Sequence, residues 1–448
     1  MFRFYIALWI AKFLMCFKRS ASSDLPGRVA LKICPKYLNI ISRPKLTVAV
    51  TGTNGKTATA ALINDFLKYS GMTTSFNEWG GNLTAGIAVN LTRGVSAFNK
   101  PKTDCSVLEG DEMIMDTEVV PLKPDYILVT NIAKDDFQRN GHPHNTFDHI
   151  EKAMRLLGDQ TTAILNANDP ISSMLDEGGR RIFYSMGDLM QKDYACKNPD
   201  IAQCPMCGAP LKYEYRNYRS IGKYHCSRCD FHRPKADYSA EFVDVLRGTI
   251  EINGFEYPLI SGSAYNAFNE LSVIALLRDM GYRENEIAVF LKTVSITDKC
   301  ESSVSVNGTE FKTYKVESGN SSGASTVMES VVTDNASKII VLMIDKEKEE
   351  GLNNENTAWI YDTDFEVLNN PSVMGIVFGG QLRRELFIRL QMAGIHEDKI
   401  KMLDNEDDIP YAFNVNAIER VYILYDSTKE TKAEAARNLM VNHAKEGR

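Results

Sequence analysis

The chain has 448 residues, 44% of them hydrophobic, and a formal net charge of −7. That length admits two or three domains with sizeable cores, and the charge argues against nucleic acid as a partner. No low-complexity tract or solenoid-period repeat is present, and the nine cysteines, an odd number containing two CxxC pairs, do not read as a secreted disulfide framework but as a reducing, cytoplasmic protein.

Residues 2–17, FRFYIALWIAKFLMCF, are strongly apolar. No small-residue cleavage site follows, as a secretory signal would need. Arg3 and Lys12 interrupt the stretch, and a membrane span needs ~20 apolar residues. It reads as a short helix lying on a protein face, or else one in peripheral contact with the inner face of the membrane. A Pro-Gly turn is expected at Pro26-Gly27. The run Leu46–Val50 is a buried-strand pattern, followed by the loop TGTNGKT and a helix, TATAALINDFLKYSG, that stops at Gly71. Further strands are expected at 105–110, 125–132 and 161–169, the last after the helix HIEKAMRLLG. Strands alternating with helices predict a doubly wound, mostly parallel α/β sheet.

Residues 196–234 break the rhythm with cysteines, prolines and tyrosines. Residues 242–260 read as a hairpin turning at Asn253-Gly254, and 266–281 as a helix. The polar DKCESS at 298–303 closes the first α/β half. A second, Rossmann-like α/β unit follows, with strands at 337–345, 373–380 and 420–427. The expected organisation is an N-terminal apolar helix and linker over residues 1–43, a first α/β domain over 44–302 and a C-terminal α/β domain over 303–448.

The loop places Gly52, Thr53, Asn54, Gly55, Lys56 and Thr57 between a strand and a helix. Two glycines free the backbone N–H groups to turn inward. The helix N-terminus faces the phosphates, Lys56 supplies a positive charge, and Thr57 offers a hydroxyl to Mg²⁺. Only two residues separate Gly52 from Gly55, where the common P-loop has four. The strand ending LEGDE places Glu109, Asp111 and Glu112 at the carboxyl edge of the sheet, where ligands bind in such folds. Glu109 is the candidate magnesium ligand. Cys204-Pro-Met-Cys207 and Cys226-Ser-Arg-Cys229 have structural zinc spacing. Four thiolates close a tetrahedral shell around Zn²⁺ and leave no position for chemistry. His142 and His144 flank a proline in a stretch expected to be a solvated loop. Neither Cys105 nor Cys300 has a local nucleophile signature.

TGTNGKT resembles the loop of the Mur ligases, ATP-dependent enzymes of peptidoglycan synthesis. LEGDE and TNIAKDD (130–136) are similar to stretches of that family. NAFN (266–269) is similar to the helix start whose second asparagine contacts adenine, which implies that role for Asn269. A Mur ligase centre carrying a four-cysteine ribbon and followed by a second α/β domain is similar to the MurT family. DLPGRVAL (24–31), GGNLTAGIA (80–88), NTAWIYDTDFE (356–366) and GGQLRRELFIRL (379–390) carry the same resemblance. It implies an ATP- and Mg²⁺-dependent ligase subunit paired with a GatD-like glutamine amidotransferase. The D-glutamate α-carboxylate of lipid II would be activated as an acyl phosphate and amidated to D-isoglutamine with ammonia from the partner.

Three positions depart from that family's pattern. Asn356 stands where the resemblance implies a catalytic aspartate; asparagine orients a histidine but brings no full charge, and Glu355 lies next to it. Lys299 stands for a nucleotide-binding arginine and lacks its bidentate fork. Asn320-Ser321-Ser322-Gly323 keeps the asparagine and glycine of a second-domain motif without its proline, leaving Asn320 as a nucleotide-binding candidate. The departures admit a catalytically weakened scaffold or paralogue. The sequence is also compatible with an amide ligase acting without a glutaminase. The basic, aromatic KYEYRNYRSIGKYH admits a single-strand nucleic-acid binder.

Overall fold

The computed structural model describes residues 1–17, 24–77, 81–135, 142–175, 179–188, 198–244, 247–261, 264–294, 301–316, 318–332, 335–345, 356–414 and 418–446. The chain forms two compact units. One holds Met1–Ala133, His142–Ala195 and Pro199–Ser295, the other mainly Ile296–Arg448.

The first unit is built on a 9-stranded sheet. Its parallel strands are β1 (Leu46–Thr51), β2 (Thr74–Phe76), β3 (Cys105–Glu109), β4 (Tyr126–Val129), β5 (Thr162–Asn166) and β6 (Arg181–Met186). A separate two-stranded ribbon follows, β7 (Leu211–Tyr218) and β8 (Ile221–Cys226). The chain then returns as β9 (Tyr238–Asp244), parallel to β6, and ends the sheet with antiparallel β10 (Thr249–Ile252) and β11 (Phe255–Pro258). The order is β11-β10-β9-β6-β5-β4-β1-β3-β2. The chain leaves β1 toward β2 and β3 on one side and β4 on the other. A crevice therefore opens at the carboxyl end of β1, the switch point where doubly wound folds bind ligands.

β1 and β3 are mostly apolar and buried along their length because both faces of the sheet are covered. Val48, Val50 and Val107 face one core with α4 (Lys56–Tyr69), α7 (Ala264–Asp279) and α8 (Glu284–Leu291). Ala49, Leu108 and Ile127 face the other with α1 (Phe2–Met15), α2 (Leu25–Ile33), the single turn α3 (Tyr37–Ile40), α5 (Thr84–Gly94) and α6 (Pro143–Leu157). α7 is buried from Ala267 to Leu277, the pattern of a helix enclosed on all sides.

Two sequence expectations need correction. Pro26 and Gly27 do not form a turn; they lie in the first turn of α2, where proline is tolerated. Gly27 is required there by close packing, since a Cβ would come 1.9 Å from the Ala85 carbonyl oxygen. His142-Pro143-His144 is not a loop but the start of α6: His142 Nδ1 accepts from the His144 N–H at 3.2 Å, and Pro143 is the first helical residue. The hairpin expected within 242–260 is present: β10 and β11 pair antiparallel across a turn at Asn253 and Gly254, both at positive φ, and β9 extends it to a three-stranded meander.

The N-terminal helix packs on the protein. Phe4, Ala7, Leu8 and Ala11 are fully buried, and Lys12 Nζ donates to the Thr92 carbonyl at 2.8 Å and the Val95 carbonyl at 2.6 Å. No described helix is long and apolar enough to cross a membrane.

The second unit holds a 6-stranded sheet of order β12-β13-β17-β14-β15-β16. β12 (Glu301–Val306) and β13 (Thr309–Lys315) form an antiparallel hairpin; β14 (Lys338–Met343), β15 (Val373–Phe378), β16 (Ile400–Met402) and β17 (Arg420–Tyr425) complete a parallel sheet with β13. One face is covered by α9 (Ser321–Val332), α10 (Ala358–Asp362) and α11 (Arg383–Met392), the other by α12 (Glu430–Glu446).

Candidate functional site

Gly52 (φ +117°) and Gly55 (φ +87°) turn the chain between β1 and α4. Both are hemmed in: a Cβ on Gly52 would lie 2.3 Å from Thr130 Oγ1, and one on Gly55 would lie 2.3 Å from Asn269 Oδ1. The end of β4 braces the loop. The Thr53 N–H donates to the Asn131 carbonyl at 2.8 Å, and the Asn54 N–H to Asn131 Oδ1 at 3.2 Å. The Asn54 carbonyl accepts from Thr130 Oγ1 at 2.6 Å and Asn131 Nδ2 at 3.0 Å. Thr53 Oγ1 accepts from the Ala133 N–H at 3.0 Å. Thr130 and Asn131 are thus loop-shaping residues that a reading of the loop alone misses; the signal was a polar Thr-Asn pair closing an apolar strand. Asp169 fixes the next residue by accepting from the Ile132 N–H at 2.7 Å, and burial pushes its carboxyl up to about 7.

Lys56 Nζ donates to the Gly52 and Thr53 carbonyls and to Glu112 Oε1 at 2.9 Å. Thr57 Oγ1 donates to Glu109 Oε1 at 3.0 Å. The acidic strand end therefore divides its work: Glu112 faces the lysine and Glu109 the threonine. Glu109 is buried, and its Oε2 has no hydrogen-bond partner among the described residues. Burial raises its carboxyl above the usual range, against the Thr57 hydrogen bond and the Lys56 charge. Asn77 clamps its backbone, donating to the Glu109 carbonyl at 2.8 Å and accepting from the Glu109 N–H at 2.8 Å. A hydroxyl beside a buried carboxylate with a spare oxygen fits a hard divalent cation such as Mg²⁺. The glycine-backed loop at a helix N-terminus fits a polyphosphate.

Asn269 is buried at the start of α7 against Gly55, and its Nδ2 is unpartnered among the described residues. A free buried amide beside the loop fits recognition of a nucleobase edge. Its neighbour Glu270 accepts from the Ile260 N–H at 2.9 Å, and burial pushes that carboxyl up to about 8.

The four cysteines come together at the base of the ribbon. The sulfurs of Cys204, Cys207, Cys226 and Cys229 lie within 4.8 Å of one another. The Cys226 sulfur accepts from the Arg228 N–H at 3.3 Å and the Cys229 N–H at 3.4 Å, amide contacts that favour thiolate. Such a donor set suits Zn²⁺. Beneath it lies only a small core of Ala209, Leu211 and Tyr224. The ribbon's aromatic residues are spent on packing: the Arg216 guanidinium lies 3.9 Å from the Tyr213 ring centre, and Tyr218 and Tyr224 are buried. Cys105 lies in β3, where burial pushes its thiol up to about 12, far from the thiolate a nucleophile needs.

In the second unit, Asn320 Oδ1 accepts from the Gly323 N–H at 2.7 Å, tying the two residues of that motif together at the start of α9. Asn356 Oδ1 accepts from the Ala358 N–H at 2.9 Å and so holds the first turn of α10. Lys299, Cys300 and Glu355 lie outside the described residues. A cluster that the sequence did not single out sits at the carboxyl ends of β14 and β17: buried Lys429 Nζ pairs with Asp345 and Glu406, and the Gln381 N–H donates to Asp345 Oδ2 at 2.8 Å. Burial raises the Glu406 carboxyl, against the Lys429 hydrogen bond. Gly380 (φ +87°) makes room, since a Cβ there would lie 2.7 Å from Asp345 Oδ2.

The fold and the loop together define a Mur ligase-type α/β protein. Residues 50–198 match the Mur ligase middle domain and residues 318–429 the MurT ligase C-terminal domain. The two matches describe a Mur ligase centre followed by a MurT-type C-terminal domain. It is 29% identical over 407 residues to the lipid II isoglutaminyl synthase (glutamine-hydrolyzing) subunit MurT of Staphylococcus aureus, covering 86% of this chain and 88% of that one. It is 28% identical to the corresponding subunit of Streptococcus pneumoniae, covering 90% and 89%. Among solved structures, a pseudomurein peptide ligase type C from Methanothermus fervidus superposes with a TM-score of 0.67 at 17% identity, covering 91% of this chain and 81% of that one. MurF from Acinetobacter baumannii gives 0.65 at 14%, covering 93% and 80%. These two likenesses concern the fold.

Proposed function

We propose that the chain is the ATP-dependent ligase subunit of a lipid II amidating enzyme of peptidoglycan synthesis. The observation that carries this reading is the Lys56–Glu112 and Thr57–Glu109 pairing around a short GxxGKT loop, in a chain similar to MurT subunits over most of its length. Gly52 to Thr57 would hold the phosphates of ATP, Asn269 the adenine, and Thr57 with Glu109 the Mg²⁺. Bound metal supplies charge neutralisation at the transferred phosphoryl group. This chain's task is then positioning. Lys56 places a cation at the same phosphates, and the β4 brace fixes the loop's backbone before the nucleotide arrives. The substrate would be the D-glutamate α-carboxylate of lipid II, activated as an acyl phosphate and amidated by ammonia from a GatD-like glutaminase partner. Zn²⁺ on the four cysteines is structural and holds a ribbon whose own core is small. The proposed location is the cytoplasm, at the inner face of the membrane.

A second reading is favoured by one contact. Asn356 already uses its side-chain oxygen on Ala358, which suits a weakened relay to the partner or a regulatory paralogue. Lys299 and Asn320 are kept as proposed nucleotide contacts.

Co-expression with a neighbouring glutaminase, followed by an amidation assay on lipid II with glutamine and ATP, tests both. Amidated product supports the ligase; a stable complex without product sinks it and leaves the scaffold. Product from free ammonia alone would locate the defect at Asn356, and Asn356→Asp should then restore use of glutamine.

A further inference from the structure

The outward face of α1 is unlike that of an ordinary surface helix. Phe2 (80% exposed), Trp9 (52%) and Phe13 (63%) are exposed, and half-buried Ile6 completes the stripe at i, i+4, i+7 and i+11. A helix resting on a protein normally turns polar residues outward. Here the buried stripe of Phe4, Ala7, Leu8 and Ala11 is backed by a second apolar stripe on the opposite side. The patch extends beyond the helix. Trp9 Nε1 donates to the Ala97 carbonyl at 2.8 Å, and the adjoining Phe98 is exposed.

Charge is segregated along the sequence toward this helix. The first 45 residues hold nine Lys or Arg and one acidic residue, whereas the other 403 hold 42 basic and 57 acidic. Lys32 and Lys36 are exposed on or just after α2, which packs against α1. Lys100 and Lys102 are exposed on the segment that Lys12 and Trp9 grip. Exposed aromatic side chains on a helix whose neighbouring segments carry exposed cations are the composition of a helix seated in the interface of an anionic bilayer. The same cations oppose a second copy on this face, because a two-fold interface would set like charge against like. At 14 residues the helix is too short to span.

We propose that α1 is a monotopic anchor that lies in the headgroup region of an anionic membrane, with Phe2, Ile6, Trp9 and Phe13 immersed and the basic residues of the first unit against lipid phosphate. This placement deepens, and takes its purpose from, the reading that the chain works on a lipid-linked substrate. It would hold the first unit on the surface where such a substrate resides, so that search for it takes place in two dimensions.

The test is sedimentation of the full chain with vesicles of phosphatidylglycerol and phosphatidylcholine (3:7), and with phosphatidylcholine alone, without ATP or lipid II. We expect binding to the anionic vesicles, weakened by salt, and at least ~10-fold lost in the double variant Phe2→Gln/Phe13→Gln. Both side chains are exposed, so nucleotide binding by the variant should be unchanged and reports on its folding. Lys32→Glu/Lys36→Glu should weaken vesicle binding most at low salt. Equal binding of the phenylalanine variant, or no preference for anionic over neutral vesicles, overturns the proposal. So does a dimer in sedimentation velocity that the same variant disperses, or a glutaminase complex that the variant breaks while vesicles are ignored; these assign the face to a second copy or to a protein partner. Vesicle binding requires no catalysis. A chain that binds vesicles but not ATP would sink the proposed function and leave the anchor standing.

Discussion

Gly55→Ala tests whether the loop is shaped by its neighbours. Gly55 lies at φ +87°, a region that costs an L-residue roughly 1–2 kcal/mol. The new methyl would also lie 2.3 Å from Asn269 Oδ1 and 2.9 Å from Tyr265 Oη, and such overpacking costs about 1–3 kcal/mol. The expected total is therefore ~2–5 kcal/mol. The two parts separate in a double-mutant cycle. In an Asn269→Ala background most of the collision is gone, and Gly55→Ala should cost only the backbone part, ~1–2 kcal/mol. The readout is hydrogen exchange of peptides spanning β1 and α4, which gives the opening free energy of that element without requiring 448 residues to unfold as one. Equal costs in the two backgrounds would refute the idea that Asn269 and the loop share one packed site. No cost in either would refute the strained conformation itself.

Lys429→Met leaves Asp345 and Glu406 facing each other without a cation; removing one partner of such a buried group costs about 3–5 kcal/mol, seen as a lower melting temperature. Cys226→Ser, or chelation, should release one equivalent of zinc per chain and open residues 201–233 to protease; unchanged metal content and protection would remove the metal from the account. Asp169, held up to about 7 by burial, binds a proton in the folded chain that the unfolded chain gives up near 4. Stability should therefore fall as pH rises from ~4 to ~7 and then level. In Asp169→Asn that slope should flatten, as followed by melting temperature against pH.

Long apolar runs ahead of glycine turns were the legible part of the fold. β1, β3, β14, β15 and β17 are buried on both faces, so hydrophobicity alone marks them. Short or half-exposed strands escaped: β2 has 3 residues and too little sequence for any period. The β12–β13 hairpin turns at Asn307-Gly308, both at positive φ, yet its outer strand ESSVSV is polar enough to pass for a linker. Pro26-Gly27 misled because turn residues were read without the helix that needs them; only the Ala85 carbonyl, 58 positions away, explains the glycine.

The candidate site divides the same way. Consecutive residues, TGTNGKT and the CxxC pairs, carry their meaning locally, and the four sulfurs do converge. Which carboxylate faces which cation is a matter of side-chain geometry at the end of β3. The sequence narrowed the choice to Glu109, Asp111 and Glu112, and the fold separates Glu109 from Glu112 by their partners. The Lys429 cluster unites residues 84 and 23 positions apart, a separation at which no spacing rule operates.

The bracing of the loop by β4 has a consequence for biosynthesis. The Asn54 carbonyl is held by a side chain 77 positions later, and Gly55 abuts Asn269, which lies beyond the entire cysteine ribbon. While the chain emerges from the ribosome, residues 52–57 wait unfinished for both. In the role proposed for this loop, a nucleotide finds no finished site on a nascent chain that still lacks β4 and α7. Competence to bind arrives late, once the sheet has closed around β1. Truncated products ending before α7 should then be inert toward ATP rather than competing for it.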